Sequence, residues 1–421
     1  MSIIEIIFKI NNLIEMKILH TGDWHLGKKL HETEFEEDHK LFFEELFNII
    51  VNNSIDVLVV SGDIFDFSNP PRSAEKLYYS FLLKLKDTCC KNIIITAGNH
   101  DGIQSLEAPK EILKLLNVDI IGTLTDSYND QVIEINDNKG NLKFIVAAVP
   151  FLRDKDLLKV NEGRTYHDRT EEVRQGIINH YSELAEQITH KYGKDVPILA
   201  TGHLFVAGVE EKSDAVRDIQ VGNLAGIKSS SFPERFGYIA LGHIHRQQKL
   251  QGHSNMWYCG SPLPLSFTEK NYEHSVLVTT LNSEGVFEQP KKITIPTYRK
   301  LITINDSLQN VLSELRSLDN EKHNNYLIEA IITQENSDLD IPYQMSKISE
   351  ELKYIKLVKY RTNITGKKEL RKEDVPDLDE FTPDIIFNSL IRSENIEEEQ
   401  IEIIKDLFKK AEELSNQESA E

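Results

Sequence analysis

The sequence predicts an α/β fold in which two sheets are flanked by helices, then a small α+β unit, then two helices at the C-terminal end. Three observations predict this. From Met16 to about Pro150, short β-branched runs alternate with amphipathic helical segments, the pattern of strand–helix layers. Five apolar runs end alike, in glycine followed by Asp, Asn or His. After Ile295-Pro296 the composition changes, and no later run ends that way.

At 421 residues the chain exceeds one ordinary core, so two or three domains are expected. Met16 directly precedes the first strand, so residues 1–15 read as an N-terminal extension or as translation from an upstream start codon. Glu5 and Lys9 interrupt their apolar stretch and no small-residue cleavage site follows, unlike a secretory signal. Phe35–Asn52 is helical, with Leu41, Phe42, Leu46, Ile49 and Ile50 at helical spacing between acids. Val57–Ser61 is a strand, Pro70-Pro71 a turn, and Ser73–Leu85 a helix with Leu77, Tyr78, Phe81, Leu82 and Leu85 on one face. Asn92–Thr96 is a strand; a helix through Leu113–Leu116 follows its loop. Thr170–Tyr192 is a helix leading to the strand before His203. Short strands around Asn255–Cys259 and Ser275–Thr280 complete a second sheet, and this domain takes residues 16–297.

Residues 298–368 form the α+β unit. Its strands lie at Lys300–Asn305, Tyr326–Ile332 and Ile355–Arg361, and its helices at Val311–Leu318 and Pro342–Leu352. A charged stretch, Lys367–Asp379, leads into residues 369–421. The helical stretches there, Asp384–Ile391 and Glu397–Leu414, either pack back on the domain or form a hairpin that docks a partner. The sequence leaves both readings open.

Apolar content of 40% and charged content of 28% fit a globular protein, and no apolar run is long enough to span a bilayer. Three cysteines, two of them adjacent (Cys89, Cys90), make neither a disulfide framework nor a zinc spacing, which fits a reducing cytoplasm. The net charge is −20, and residues 371–421, with 16 acidic and 6 basic side chains, carry half of it. An acidic chain is not an obvious nucleic-acid binder, because phosphate neutralisation dominates such affinity. If DNA is the substrate, metal ions, local basic patches or a partner must supply the positive field.

The repeated strand ends are Gly22-Asp23-Trp24-His25, Gly62-Asp63, Gly98-Asn99-His100-Asp101, Gly202-His203 and Gly242-His243-Ile244-His245. One such turn alone is more often an Asx hydrogen bond than a site. Five together point to one metal centre. In an extended segment Asp23 and His25 project to the same side, as do His243 and His245. With Asp63, Asn99 and His203 they give seven carboxylate, amide and imidazole donors and no thiolate, a set suited to Mn²⁺ or Fe²⁺ rather than structural zinc. Seven donors are too many for one ion and suit two if a carboxylate bridges. Two ions about 3.5–4 Å apart can activate water and stabilise both the attacking and the leaving oxygen of an in-line phosphoryl displacement.

In that order, these motifs resemble the calcineurin-like metallophosphoesterase superfamily. Residues His20–Gly27, Gly62–Asp66 with Pro70-Pro71, Lys212–Asp218 and Tyr258–Phe267 narrow the likeness to the bacterial SbcD-type nuclease subunits. It runs from Met16 to about Thr280 and more loosely beyond. The resemblance implies a two-sheet metallophosphoesterase sandwich, with residues 298–368 as a capping domain. It implies one metal held by Asp23, His25, Asp63 and His245 and the other by Asp63, Asn99, His203 and His243, with Asp63 bridging. Mn²⁺ is the implied metal, with Fe²⁺ or Mg²⁺ as alternatives. It further implies 3′–5′ exonuclease and endonuclease activity on DNA ends and hairpins, in repair, replication and recombination. The implied assembly is a homodimer within a heterotetramer, joined by an SbcC-type coiled-coil ATPase that grips the terminal helices. The dimer helices correspond to the Ser73–Leu85 region and the helix ending near Leu116. The resemblance implies no membrane partner and a cytoplasmic, nucleoid-associated location.

His100 is the residue expected to carry proton chemistry, beside ligand Asn99 and with Asp101 orienting its ring. In relatives its counterpart contacts the scissile phosphate. His31, His39, His180 and His190 read as solvated, and His20 as a core residue or a support to the ligands. Trp24 either stacks on a base or packs between the flanking ligands. Arg217 and Arg246 are candidates for phosphate contacts. Asp66 stands where some relatives place a histidine. A phosphoprotein phosphatase is disfavoured, since Asp66 is followed by Phe67-Ser68 rather than Arg-Gly. A small phosphodiesterase not acting on DNA would lack the two C-terminal units, and a scaffold with a decayed site would have lost ligands.

Overall fold

The computed structural model describes residues 15–125, 127–157, 166–209, 226–320, 325–334 and 340–365. Strand β1 (Met16–Thr21) is followed by a hairpin, β2 (Lys29–Leu30) and β3 (Thr33–Glu34), and helix α1 (Glu36–Asn52). Next come β4 (Val57–Ser61), α2 (Arg72–Leu85), β5 (Asn92–Thr96), the short helices α3 (Ile103–Glu107) and α4 (Lys110–Lys114), and β6 (Val118–Ile121). A second series follows: β7 (Val132–Asn136), β8 (Leu142–Ala147), α5 (Asp154–Leu157), α6 (Tyr166–Tyr192) and β9 (Ile198–His203). It continues with β10 (Val206–Ala207), β11 (Ile227–Lys228), β12 (Tyr238–Gly242), β13 (Gln248–Lys249) and β14 (Met256–Tyr258). Then come β15 (Ser275–Leu281) and β16 (Lys291–Thr294).

These strands build two six-stranded sheets, ordered β16-β15-β1-β4-β5-β6 and β13-β14-β12-β9-β8-β7. Strands β1, β4, β5 and β6 run parallel, and so do β8, β9, β12 and β14. The central strands of both sheets are buried on both faces, which is why they read as unbroken apolar runs rather than alternating ones. In β4, Val57 and Val59 face the other sheet, while Leu58 and Val60 face helices α1 and α2. In β12, Tyr238 and Ala240 meet the first sheet, and Ile239 and Leu241 pack with α6 residues such as Tyr181 and Leu184. Each buried aliphatic side chain contributes about 1.5–3 kcal/mol, so the three apolar layers hold the sandwich together.

One expectation is corrected. Ser275–Leu281 does not extend the second sheet; it pairs antiparallel with β1 in the first, Met16 opposite Leu281. Its apolar pattern marks a strand but carries no record of a partner at the far end of the domain.

The next unit is a parallel sheet, β17 (Lys300–Asp306), β18 (Tyr326–Gln334) and β19 (Lys356–Ile364), with α7 (Leu308–Leu318) and α8 (Ile341–Glu351) between the strands. Ile304, Ile328, Ala330 and Ile332 pack beneath Val311, Leu315, Met345 and Ile348. The unit is seated on the sandwich by Leu301 and Leu327 against Leu30, Phe35 and Phe267. At the edge of the seat the Arg299 guanidinium pairs with Asp38, and the Tyr298 hydroxyl donates to the Leu41 carbonyl at 3.0 Å. Among the described residues no helix is long and apolar enough to cross a membrane. The stretches 384–391 and 397–414, Arg217 and almost all of 1–15 lie outside the described residues.

His39 and His180 are buried rather than solvated, at 1% and 8% exposure. His39 Nε2 donates to the Trp24 carbonyl at 2.8 Å, and His180 Nε2 to Gln131 Oε1 at 2.8 Å. Burial lowers both to about 4. Below the ordinary histidine value of about 6.5 the unfolded chain therefore binds protons that the folded chain refuses, and stability falls as pH drops toward 4. Replacing His180→Gln should shrink the stability lost between pH 7.5 and 4.5 by about 2 kcal/mol. Chemical denaturation at the two pH values checks this; an unchanged loss would place the acid sensitivity elsewhere.

Candidate metal centre

The carboxyl ends of parallel strands from both sheets meet along one edge, the usual place for a ligand in an open α/β sheet. Asp23 and His25 follow β1, Asp63 follows β4, Asn99 follows β5, His203 ends β9, and His243 and His245 follow β12. The structure brings all seven predicted ligands together. The turns that do this are costly. Asp23, His25, Asp63 and His243 have φ of 50°, 47°, 50° and 98°, a left-handed region that non-glycine residues seldom adopt. Two glycines permit the crowding: a Cβ on Gly62 would strike the His203 ring, and one on Gly98 would strike the Asp63 carboxylate.

Donor atoms face each other at short range. His203 Nε2 lies 3.0 Å from Asn99 Oδ1 and 3.2 Å from Asp63 Oδ2. His243 Nδ1 lies 3.1 Å from Asn99 Oδ1 and 3.3 Å from His203 Nε2. Ligands at right angles around one ion with bonds of about 2.1 Å stand about 3.0 Å apart, so this is the spacing of neighbouring ligands. A second group, Asp23, His25 and His245, keeps its ligand atoms within 4.8 Å of one another. Asp63 Oδ2 is 3.5 Å from His25 Nε2 as well. One carboxylate oxygen thus stands between the two groups.

Hydrogen bonds from behind aim three of the four candidate histidines. His203 Nδ1 donates to the Ser61 carbonyl at 2.9 Å, His25 Nδ1 to Asp66 Oδ1 at 3.0 Å, and His245 Nδ1 to Glu269 Oε1 at 3.0 Å. Each bond leaves the Nε2 lone pair facing the cluster. Asp23 accepts the His243 backbone N–H on both oxygens, at 2.9 and 3.1 Å, and Asp63 Oδ1 accepts the His100 N–H at 2.9 Å. His25 Nε2 and His243 Nε2 are buried without a hydrogen bond. His25 Nε2, 3.5 Å from Asp63 Oδ2, is a buried, unpaired acceptor turned toward a carboxylate, which a bound cation would satisfy, whereas His243 meets the cluster through Nδ1.

The charges agree. Burial would lower His203, but the Asp63 carboxylate and then Asp23 overcome it and hold the imidazole up at about 9. Burial would raise Asp63, but His203 and His25 hold it well below the usual range. Glu269, likewise buried, is held at about 2 by His245. The cluster draws positive charge, and the residues present fit divalent ions.

Two expectations fail. Asp101 does not touch the His100 ring. Its buried carboxylate accepts the N–H groups of Ile64, Phe65 and Gly98 at 3.2, 2.9 and 2.8 Å. It staples the Asp63 loop to the Asn99 loop, because three unpaired buried amides outcompete an exposed ring. The His100 ring is instead held by its Nδ1, 3.0 Å from the Asp66 carbonyl, with the ring 4.9 Å from that of His25. Trp24 is 0% exposed and meets Phe42, Phe43 and Phe81 edge-on, so it packs the core and is out of reach of a base. His20 is a core residue, with Nδ1 3.0 Å from the Tyr238 hydroxyl. Arg246 is exposed next to His245, with its guanidinium 6.0 Å over the Tyr272 ring. Asp66 and Glu269 went unrecognised as supports of His25 and His245. Asp66 lay in a motif without a role, and Glu269 carried no signal beyond being an acid in an apolar loop.

Paired donor groups sharing a carboxylate, at the edge of a two-sheet sandwich, define a metal-dependent phosphoester hydrolase. The family model described as calcineurin-like phosphoesterase matches residues 16–247, and one described as type 5 capsule protein repressor C-terminal domain matches residues 297–395. The SbcD subunit of the SbcCD nuclease of Escherichia coli K12 is 30% identical over 395 residues, covering 93% of this chain and 97% of that one. Its namesake from Rhodobacter capsulatus is 34% identical over 291 residues, 67% of this chain and 69% of that one. The one from Bacillus subtilis is 32% identical over 268 residues, 62% of this chain and 66% of that one. The chain belongs to the SbcD family of metal-dependent nuclease subunits, within the calcineurin-like phosphoesterases.

Proposed function

We propose that this chain hydrolyses phosphodiester bonds at DNA ends and hairpins with two Mn²⁺ ions, as the nuclease subunit of a complex with an SbcC-type coiled-coil ATPase. The observation that carries the reading is Asp63 Oδ2, 3.2 Å from His203 Nε2 and 3.5 Å from His25 Nε2. Asp23, His25, Asp63 and His245 would hold one ion, and Asp63, Asn99, His203 and His243 the other. Bound there, the ions would act as Lewis acids on the attacking and leaving oxygens of the phosphate. A donor set of oxygens and imidazoles without thiolate suits Mn²⁺ or Fe²⁺, and Mn²⁺ is the ion proposed.

The chain's own residues supply the rest. His100 is exposed, and its Nδ1 proton is committed to the Asp66 carbonyl. Its Nε2 is left to bond the scissile phosphate or move a proton at the leaving oxygen. Arg246, and Arg217 beyond the described residues, would meet the DNA backbone. Residues 16–297 are the nuclease domain, 298–368 the cap, and 369–421 the linker and helices that dock the ATPase. Leu83, Ile112 and Leu115, exposed by 59%, 70% and 83%, support a homodimer through α2 and the α4 end. The ATPase would supply the positive field that a chain of net charge −20 lacks.

The test is cleavage of end-labelled duplex and hairpin DNA by the purified chain with Mn²⁺, Mg²⁺ or EDTA. Cutting is expected with Mn²⁺ and absent with EDTA. A chain ending at residue 383 should still cut simple duplex with Mn²⁺ while no longer co-purifying with the ATPase. Turnover of a small phosphodiester without DNA cleavage, under any metal, would keep the site and discard the substrate.

A further inference from the structure

The turn Phe267–Glu269 is a single 3₁₀ turn with two faces. On one face Glu269, 1% exposed, reaches the metal centre through His245. Its carboxylate is fully engaged. Oε1 lies 3.0 Å from His245 Nδ1 and 2.9 Å from Ser266 Oγ; Oε2 accepts the Leu265 N–H at 3.0 Å and faces Ser261 Oγ at 3.4 Å. The same loop grips the His245 backbone, for the Ser261 N–H donates to the His245 carbonyl at 3.0 Å. Gly260 allows that approach, since a Cβ there would sit 2.8 Å from the His245 oxygen at a φ of +74°.

On the other face Phe267 joins Leu301 of β17 and Leu327 of β18, together with Leu30 and Phe35. The phenyl ring that seats the residue 298–364 unit and the carboxylate that aims a metal ligand therefore sit on one rigid turn, with only Thr268 between them. A shift of that seat has a short path to His245: the turn, one charged hydrogen bond, and the ring.

We propose that Glu269 is a positioning residue for His245, and that the seat on Phe267 sets how firmly it holds the ring, so that displacement of the capping unit weakens the first of the two metal sites. A carboxylate behind a ligating histidine fixes its tautomer and orientation and raises its basicity, an effect usually worth about 10–100-fold in metal affinity. The proposal rests on the reading of His245 as a ligand.

The experiment titrates Mn²⁺ into the metal-free full-length chain by calorimetry, with manganese electron paramagnetic resonance for the paired-ion signal. The parent, Glu269→Ala, Glu269→Gln, Phe267→Ala and His245→Ala are compared, and metal-free melting is followed for each. Glu269→Ala should weaken one Mn²⁺ site about 10–100-fold and leave the other at parent affinity. Glu269→Gln keeps one acceptor oxygen for His245 Nδ1–H and turns its amide nitrogen toward the Leu265 N–H, so that loop hydrogen bond is lost. It should melt below the parent but lose affinity at that same site by a smaller factor than Glu269→Ala. Phe267→Ala should weaken the same site several-fold, although it touches no ligand. Equal weakening of both sites, or a melting change with unchanged affinities, would make the turn merely structural and overturn the proposal. Parent affinity in Phe267→Ala alone would remove the link to the cap. Two Mn²⁺ retained in His245→Ala would instead overturn the ligand reading beneath it.

Discussion

Asp63→Asn should lose both metal ions and with them DNA cleavage, by on the order of 10³-fold or more. One of its oxygens meets both donor groups: Oδ2 stands 3.2 Å from His203 Nε2 and 3.5 Å from His25 Nε2. An amide preserves size and can still accept the His100 N–H, so the backbone turn survives while the bridging charge goes. The charge matters because it is the attraction that, without metal, holds a proton on His203 up to about 9 against burial, and that a divalent ion at the same place would use instead of the proton. Removing it leaves Asp23 as the only carboxylate predicted to ligate either ion. Inductively coupled plasma analysis of Mn²⁺ per chain, beside cleavage of end-labelled duplex, reads both effects. Cleavage within about tenfold of the parent, or two ions retained, would show that Asp63 does not bridge.

His100→Ala should behave in the opposite way toward metal. Both ions should bind with parent affinity while the rate of cleavage falls about 10²–10⁴-fold at saturating Mn²⁺. The His100 ring is exposed and anchored by the Asp66 carbonyl, whereas the ligand rings are anchored by Asp66 Oδ1, Ser61 O and Glu269 Oε1. A nitrogen of the ring is nevertheless near enough for His25, Asp63 and His100 to offer three ligand atoms within 4.8 Å of one another. The variant therefore decides between proton chemistry and ligation. One ion fewer per chain, with cleavage lost in proportion, would make His100 a ligand.

These two variants bear on different parts of what a sequence can reveal. The strands, the glycines after them and the ligand-type side chains that follow are local features. A strand buried on both faces must read as an apolar run, as Val57–Val60 does, and a turn that brings a ligand against a neighbouring strand must have room, as at Gly62 and Gly98. Repetition of that local pattern five times was enough to point to seven donors and a pair of ions. The helices α1, α2, α7 and α8 were equally legible, since an amphipathic stripe is written at a fixed period along the chain.

What the chain order could not give was partners. The turns that hold Asp23 and His243 together are joined by a hydrogen bond across 220 residues, and β15 pairs with β1 across the whole first domain. Asp101 is a case in point: next to His100 in sequence, it looked like that ring's support, yet its carboxylate satisfies amides of both the Asp63 and the Asn99 loops. Trp24 sits between two ligands in sequence but turns into the aromatic core with Phe43 and Phe81. Glu269 and Asp66 had no local signature, because an acid's role as a support is set by which histidine stands opposite it. The sequence by itself determined the types of the candidate ligands, their order and the strands that carry them, since backbone geometry is local. The tertiary structure alone decided which oxygen stands between the two donor groups, which histidine is held by which carboxylate, and which neighbour was only a neighbour, since those follow from packing between distant segments.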